Sequence, residues 1–381
     1  MRTIAFYDDN PDFGGHQIMA MRGIAAVAKS PECRVIFYVN PANARLREHA
    51  AICQEEGGQL ELRDAPTLTR KFQALRNRFA SAEINALAQE LAGQQLDGFV
   101  AIQGEIEDSS LALLAARQAG LRVISYIPLA HTLAQMGAKL GHVRDLTTKY
   151  LFTVPDAWLT ITESVAQQLR SRGAREPIYI VNNGIDTERF QPASKAHVRA
   201  HEGLPVGMLF GLFGRVEFKQ KQQDFLVHAL ASFKGQLERA RLLVVGDGPD
   251  HEHLTELVID SGLSDRVIFR RWHKHTEQLY PALDCLIIPS RFEGFPLVML
   301  EAAACQVPVV GSDRDGMRDF LPPGCRFHFG DVDALEGALI HALKKDEAEL
   351  TAVRQHVLDE YSLKAFEHNF TETLNRALSE S

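Results

Sequence analysis

Short runs of apolar and β-branched residues alternate along the chain with longer stretches in which apolar positions recur every three or four residues. Runs of the first kind read as buried strands and stretches of the second as amphipathic helices, so the alternation predicts parallel sheets with helical crossovers. Strands are predicted at 3–7, 34–39, 99–102, 122–127, 157–161 and 178–181. Ser164 followed by Gln167 resembles a capping box and predicts a helix from there to about Arg172. The rhythm breaks at Asn182-Asn183-Gly184-Ile185-Asp186 and stays irregular through Phe190 and Pro192. It resumes with strands at 208–213, 241–245, 267–269, 285–289 and 307–311. The predicted architecture is α/β, two Rossmann-like, doubly wound domains in tandem, 1–188 and 189–361.

Length agrees with that division, because 381 residues exceed twice a usual domain of about 150. With 45% apolar and 24% charged residues the chain has material for two cores, which excludes disorder and coiled coil. Apolar runs stay short of the roughly 18 residues a membrane span needs, and the first residues reach Asp8 and Asp9 too soon for a secretory leader. A cytoplasmic location is expected. The net charge of −8 argues against a general nucleic-acid binder. It falls unevenly, with 20 basic against 21 acidic residues in 1–190 and 21 against 28 beyond. Cys33, Cys53, Cys285, Cys305 and Cys325 are odd in number and scattered, so buried thiols are expected, with neither a disulfide frame nor a zinc site.

Ligands of open α/β sheets bind beyond the carboxyl ends of the strands, so the segments just after strands are the candidates. The densest is Ser290-Arg291-Phe292-Glu293-Gly294-Phe295-Pro296-Leu297-Val298-Met299-Leu300-Glu301. Pro296 suits a first helical position, which would aim the amides of Leu297 and Val298 out of the helix start, where an anion such as a diphosphate is favoured. Gly294 leaves room for a ligand against the backbone. Glu293 at the mouth and Glu301 inside the helix would accept hydrogen bonds from hydroxyls on either side. Arg215, after Gly214, and Lys221 add a forked and a compact cation suited to a diphosphate leaving group, with Lys219 a rival for the lysine role. This is the layout of a nucleotide-sugar site.

Taken in order, Gly14-Gly15, Asn183-Gly184-Ile185-Asp186 with Phe190 and Pro192, Gly214-Arg215 with Lys221, Val245-Gly246-Asp247-Gly248-Pro249, and Glu293 with Glu301 resemble the retaining glycosyltransferases of family 4 over nearly the whole chain. The resemblance implies the GT-B fold, two domains facing across a cleft, with a C-terminal helix at 362–381 packing back on the first domain. It implies that Arg215 and Lys221 neutralise the donor diphosphate, that Glu301 holds the ribose, and that Glu293 with the amides of Gly294, Phe295, Leu297 and Val298 holds the sugar. Gly14, Gly15, Gly214 and Gly248 would line the donor site. His131, beyond the strand at 122–127, would reach the donor sugar. His16 would either face the ligand or cap its helix. The family pattern carries glycine where this chain has Gln222 and Gln306, and again where Arg270-Arg271-Trp272-His273 stands. That last loop lies near the base in the family, so UDP and GDP both stay open.

The implied reaction is transfer of a sugar from a nucleotide diphosphate sugar to an acceptor hydroxyl with retention. The acceptor would be a saccharide, a lipid-linked molecule or a small molecule, in cell-surface polysaccharide, lipopolysaccharide or glycolipid synthesis. A nucleotide-sugar epimerase of the same fold and a non-catalytic subunit of a polysaccharide-assembly complex share much of the layout. No cofactor and no metal are expected: Asp313-Arg314-Asp315 fits an ordinary turn better than a DxD metal element, and the two cations make a metal unnecessary. Absence of GxGxxG after any strand removes the main support for a dinucleotide oxidoreductase. Finally, Leu68, Phe72, Leu75 and Phe79 recur at helical spacing beside Arg70, Lys71, Arg76 and Arg78. A helix packed on its own domain is expected there. Contact with anionic lipid at the inner face of the membrane is the alternative.

Overall fold

In the computed structural model, which describes residues 1–271 and 275–380, seven parallel strands build the first sheet: β1 (Arg2–Asp8), β2 (Cys33–Val39), β3 (Leu60–Asp64), β4 (Gly98–Ile102), β5 (Val123–Tyr126), β6 (Ala157–Thr160) and β7 (Ile178–Ile180). Their order is β3-β2-β1-β4-β5-β6-β7. β1 lies central, in register Arg2↔Cys33 with β2 and Ile4↔Gly98 with β4. Helices on both faces make it an interior strand, and Ile4 to Tyr7 are fully buried. The second sheet comprises β8 (Leu209–Phe213), β9 (Arg241–Val245), β10 (Val267–Arg270), β11 (Cys285–Ile288), β12 (Val309–Ser312) and β13 (Arg326–Phe327), in the order β10-β9-β8-β11-β12-β13. Both are parallel, Rossmann-like sheets in which the strand order reverses once.

Two strands escaped the apolar-run criterion. β3 reads Leu-Glu-Leu-Arg-Asp and is only partly buried at the sheet edge, and β13 has two residues. The helix Glu163–Ser171 is capped by Thr162, whose hydroxyl accepts from the Val165 amide, so the box expected at Ser164 is displaced toward the amino end. All five cysteines are buried thiols. No helix among the described residues is long and apolar enough to cross a membrane.

The chain divides into one unit of Met1–Asn183 with the segment from Lys364 onward, and a second of Gly184–Leu363. The boundary expected at 188/189 therefore moves upstream. The reason lies in Ile185, whose amide donates to the Tyr361 carbonyl at 2.8 Å and whose carbonyl accepts from Leu363 at 2.8 Å, while Phe190 sits edge-on to Tyr280. The helix Leu363–Ser379 belongs to the first unit. Phe370 fills the space beside Gly23, where a Cβ would lie 2.7 Å from its ring, and meets Tyr126 edge-on. Leu378 occupies the place a side chain at Gly98 would need.

Candidate active site

In the second unit the strand order reverses between β8 and β11, and a crevice at such a switch point is where doubly wound sheets hold ligands. The loops after β8 and β9 touch through their backbones. Gly214 donates to Val245 at 2.9 Å and Val216 to Asp247 at 3.0 Å. A Cβ at Gly246, which has φ +146, would lie 1.9 Å from the Gly214 carbonyl oxygen, and one at Gly248 would lie 2.2 Å from that of Val216. Glycine at these positions is what lets the two loops form one wall.

Across the switch point, Lys221 Nζ meets Glu293 Oε1 in an ion pair. The same oxygen accepts from Ser290 Oγ at 2.7 Å, and the Glu293 amide donates to Asp315 Oδ2 at 2.9 Å. Ser312 Oγ in turn donates to the Ser290 carbonyl. Glu293 is thus buried, charged opposite a cation and held from both its ends. Lys219 is exposed, whereas Lys221 is half-buried in that pair. Arg215 is exposed, 3.6 Å from Glu217, and its carbonyl is fixed by Gln223 Nε2 at 2.8 Å. Its guanidinium is therefore accessible to an incoming anion.

The helix Leu297–Ala304 begins one residue later than Pro296 suggested, with Pro296 as its N-cap and a buried residue. Leu297 and Val298 occupy the first turn, whose amides have no acceptor within the helix. Glu301 lies on the next turn and accepts a hydrogen bond from the Tyr280 hydroxyl at 2.5 Å. Enclosure raises its carboxyl to about 7. The Phe295 ring is buried and stacked on Tyr361, so a ligand would meet its main chain rather than its ring. Gln222 (φ 54) and Gln306 (φ 57) stand in left-handed backbone, which explains why the family pattern carries glycine at both positions. Asp313 is occupied by Arg318 and Arg326, and Asp315 by Glu293, as in a structural turn. Arg271 lies 3.6 Å from Asp247, whereas Trp272 and His273 lie outside the described residues.

The remaining candidates are in the first unit. Gly14 is the N-cap of the helix Gly15–Ala28, its amide donating to Gln17 Oε1 at 2.6 Å, and a Cβ at Gly15 would meet open space. His16 does not cap this helix, because Gln17 does. Its ring instead lies beside Gly104, where it would meet an added Cβ at 3.0 Å, its Nε2 is buried without a hydrogen-bond partner, and burial lowers it to about 4. His131 is half-buried in the loop beyond β5, and its carbonyl accepts from Arg172 at 2.6 Å. The structure thus gathers Lys221, Glu293 and Glu301 on linked elements of the second unit. It also gives contacts to Ser290, which stood in the motif without a role, to Asp315, which was read as part of a turn, and to Tyr280, which the sequence did not single out. Tyr280 precedes β11 on a one-turn helix and carries no local signal.

This geometry coincides with a sequence match. Residues 208–345 match the family model described as "Glycosyl transferases group 1". The matched segment runs from the start of β8 past β13 and includes Arg215, Lys221, Glu293 and Glu301. The chain is 35% identical over 199 residues to D-inositol 3-phosphate glycosyltransferase 1 of Catenulispora acidiphila, covering 49% of this chain and 47% of that one. It is 36% identical over 155 residues to the lipopolysaccharide core biosynthesis mannosyltransferase LpsB of Rhizobium meliloti, covering 39% and 44%. The chain spans about half the length of the curated relatives it matches. Over 99% of its length it shares its fold with Anabaena Alr3699/HepE, solved in complex with UDP and glucose, at 18% identity over all of that chain and a TM-score of 0.76. It likewise matches the lipopolysaccharide outer core galactosyltransferase WaaB at 20% identity and a TM-score of 0.73, covering 99% of each chain. The fold is the GT-B glycosyltransferase fold.

Proposed function

We propose that the protein is a retaining glycosyltransferase that moves a sugar from a UDP- or GDP-sugar to an acceptor hydroxyl, in the assembly of a surface polysaccharide, lipopolysaccharide or glycolipid. The observation that carries this reading is the Lys221–Glu293 pair at the mouth of the helix Leu297–Ala304, with Glu301 further inside and Arg215 exposed in the loop after β8. A diphosphate placed there neutralises Lys221 and Arg215 and receives the first-turn amides of Leu297 and Val298. Ribose hydroxyls reach Glu301 on one side, and sugar hydroxyls reach Glu293 on the other.

In the reaction the bond from the anomeric carbon to the phosphate oxygen breaks, and charge accumulates on the leaving diphosphate. Arg215, Lys221 and the helix amides stabilise that charge. Glu293 is engaged by Lys221 and Ser290, so it is a poor nucleophile. The acceptor oxygen therefore bonds to the anomeric carbon from the face the diphosphate leaves, and its proton passes to the departing phosphate oxygen. No metal or cofactor is required in this scheme. His131, Gly14 and Gly15 belong to the first unit, which we assign to the acceptor. The likeness to relatives described as glycosyltransferases, and to a fold solved with UDP and glucose, supports the same reading.

The Arg215→Ala, Lys221→Ala double variant tests it. Removing one transition-state donor commonly costs a factor of about 100–1,000, so turnover per folded molecule with the preferred UDP- or GDP-sugar should fall by at least that factor, while loss of the partner of buried Glu293 lowers the melting temperature. Unchanged turnover would refute the assigned roles. Formation of a new sugar epimer from donor alone, without acceptor, would replace the transferase reading with an epimerase.

A further inference from the structure

The segment carrying Leu68, Phe72, Leu75 and Phe79 is not the continuous packed helix its periodicity predicts. Phe72 has φ +62, and beyond it come only a short helix, Gln73–Arg76, and a single 3-10 turn, Asn77–Phe79. Burial there is inverted. Gln73 and Asn77 point inward, where Gln73 donates to Asn77 at 2.7 Å, Asn77 donates to Ser110 at 3.0 Å, and the Ala74 amide donates to Glu107 at 2.9 Å. The apolar side chains point outward: Leu68 and Leu75 are more than two-fifths exposed and Phe79 is 84% exposed.

The helix Gly141–Thr148, packed beside Gln73–Arg76, repeats the inversion. Its Arg144 turns in to Glu105 and Glu107, and Asp145 accepts from the Leu133 and Ala134 amides and from Arg172. Leu140, Val143 and Leu146 are each more than half exposed. These two segments hold half of the large exposed apolar side chains of the described chain. Around them stand Arg70, Lys71, Arg76, Arg78, Lys139 and Lys149, all exposed, and none pairs with a carboxylate among the described residues. A groove of about 520 Å³ opens between Pro66, Leu68, Phe79 and Leu111 with Arg70 and Arg76 on its walls, and Glu83 is the one acid that lines it.

We propose that this face of the first unit seats on an anionic lipid bilayer, its apolar side chains entering the interface while its cations meet lipid phosphates. Exposed apolar groups ringed by unneutralised cations, on a chain of net charge −8, complement a surface that is apolar within and uniformly anionic above. A second copy of the chain would instead bring like charges together. The proposal stands on the exposed face alone and does not depend on the sugar-transfer reading.

Sedimentation of the full chain with vesicles tests it. Two parts phosphatidylcholine with one part phosphatidylglycerol should bind the protein, in a manner weakened by salt, and phosphatidylcholine alone should not. A Leu75→Ser, Phe79→Ser variant and an Arg76→Gln, Arg78→Gln variant should each weaken binding roughly tenfold or more. These positions are at the surface, so melting curves should match the parent protein. In a Phe79→Trp variant, mixed vesicles should shift the emission to the blue. Absence of binding to the mixed vesicles, equal binding to both kinds, or binding unaffected by the substitutions would each overturn the proposal. So would self-association that Phe79→Ser abolishes in a protein that ignores vesicles.

Discussion

Glu301 carries a tension that can be measured. Its carboxyl is raised to about 7 chiefly by burial, and the Tyr280 hydroxyl offsets part of that cost. An acid whose folded value exceeds its unfolded one retains its proton longer in the native state. Its contribution to stability is thus fully present below the unfolded value and is lost as pH rises through about 7. Glu301→Gln removes this loss. The variant should match the parent near pH 4 and become more stable than it by pH 8, by a margin on the order of a few kcal/mol, read from urea or thermal unfolding across that range. Asp8 is likewise raised to about 7 by burial and slopes the same way in both proteins, so the difference curve isolates Glu301. A difference that does not vary with pH would show that the carboxyl is not strained. Donor affinity should fall in the same variant, because an amide offers one acceptor oxygen where the carboxylate offers two.

At the scale of elements, the site depends on how closely two loops approach. Gly246→Ala would place a carbon 1.9 Å from the Gly214 carbonyl oxygen in a backbone region unsuited to alanine. A loss of roughly 2–4 kcal/mol is expected in thermal or denaturant unfolding. Gly337→Ala is the control. It lies within the helix Val332–Ala342 with nothing near its Cβ, and should be neutral or stabilising by up to about 1 kcal/mol. Features of this kind were readable in the sequence wherever one local rule governed them. Central strands are apolar because both faces are covered, and the turns after β8 and β11 carry glycine or proline beside the charges of the site. Features set by tertiary contact were hidden. β3 alternates because it lies at an edge, and Phe72 ends a helical pattern by adopting a conformation that periodicity does not encode. Tyr280 reaches Glu301 only because the 3-10 turn Tyr280–Ala282, before β11, sets its hydroxyl against that side chain. The expected domain boundary erred for the same reason, since the pairing of Ile185 with Tyr361 spans most of the second unit in sequence.

For the molecule as a whole, the first unit is made from both ends of the sequence. Phe366, Phe370, Leu374 and Ala377 of the last helix are buried in it, and removing one such phenylalanine side chain alone commonly costs about 3–5 kcal/mol. Truncation after Ser362 should therefore leave residues 1–183 open to limited proteolysis while a fragment spanning Gly184 to about Tyr361 resists it. Equal protection of both units would show that the helix is dispensable. The same connectivity bears on synthesis. Multidomain chains usually complete their amino-terminal domain first as they leave the ribosome. Here the sheet begun by β1 waits for a helix translated after the whole of the second unit, so the part made first is the part finished last. During that interval the groove reserved for Phe370 and Leu378 is an open apolar surface, exposed to whatever the growing chain meets.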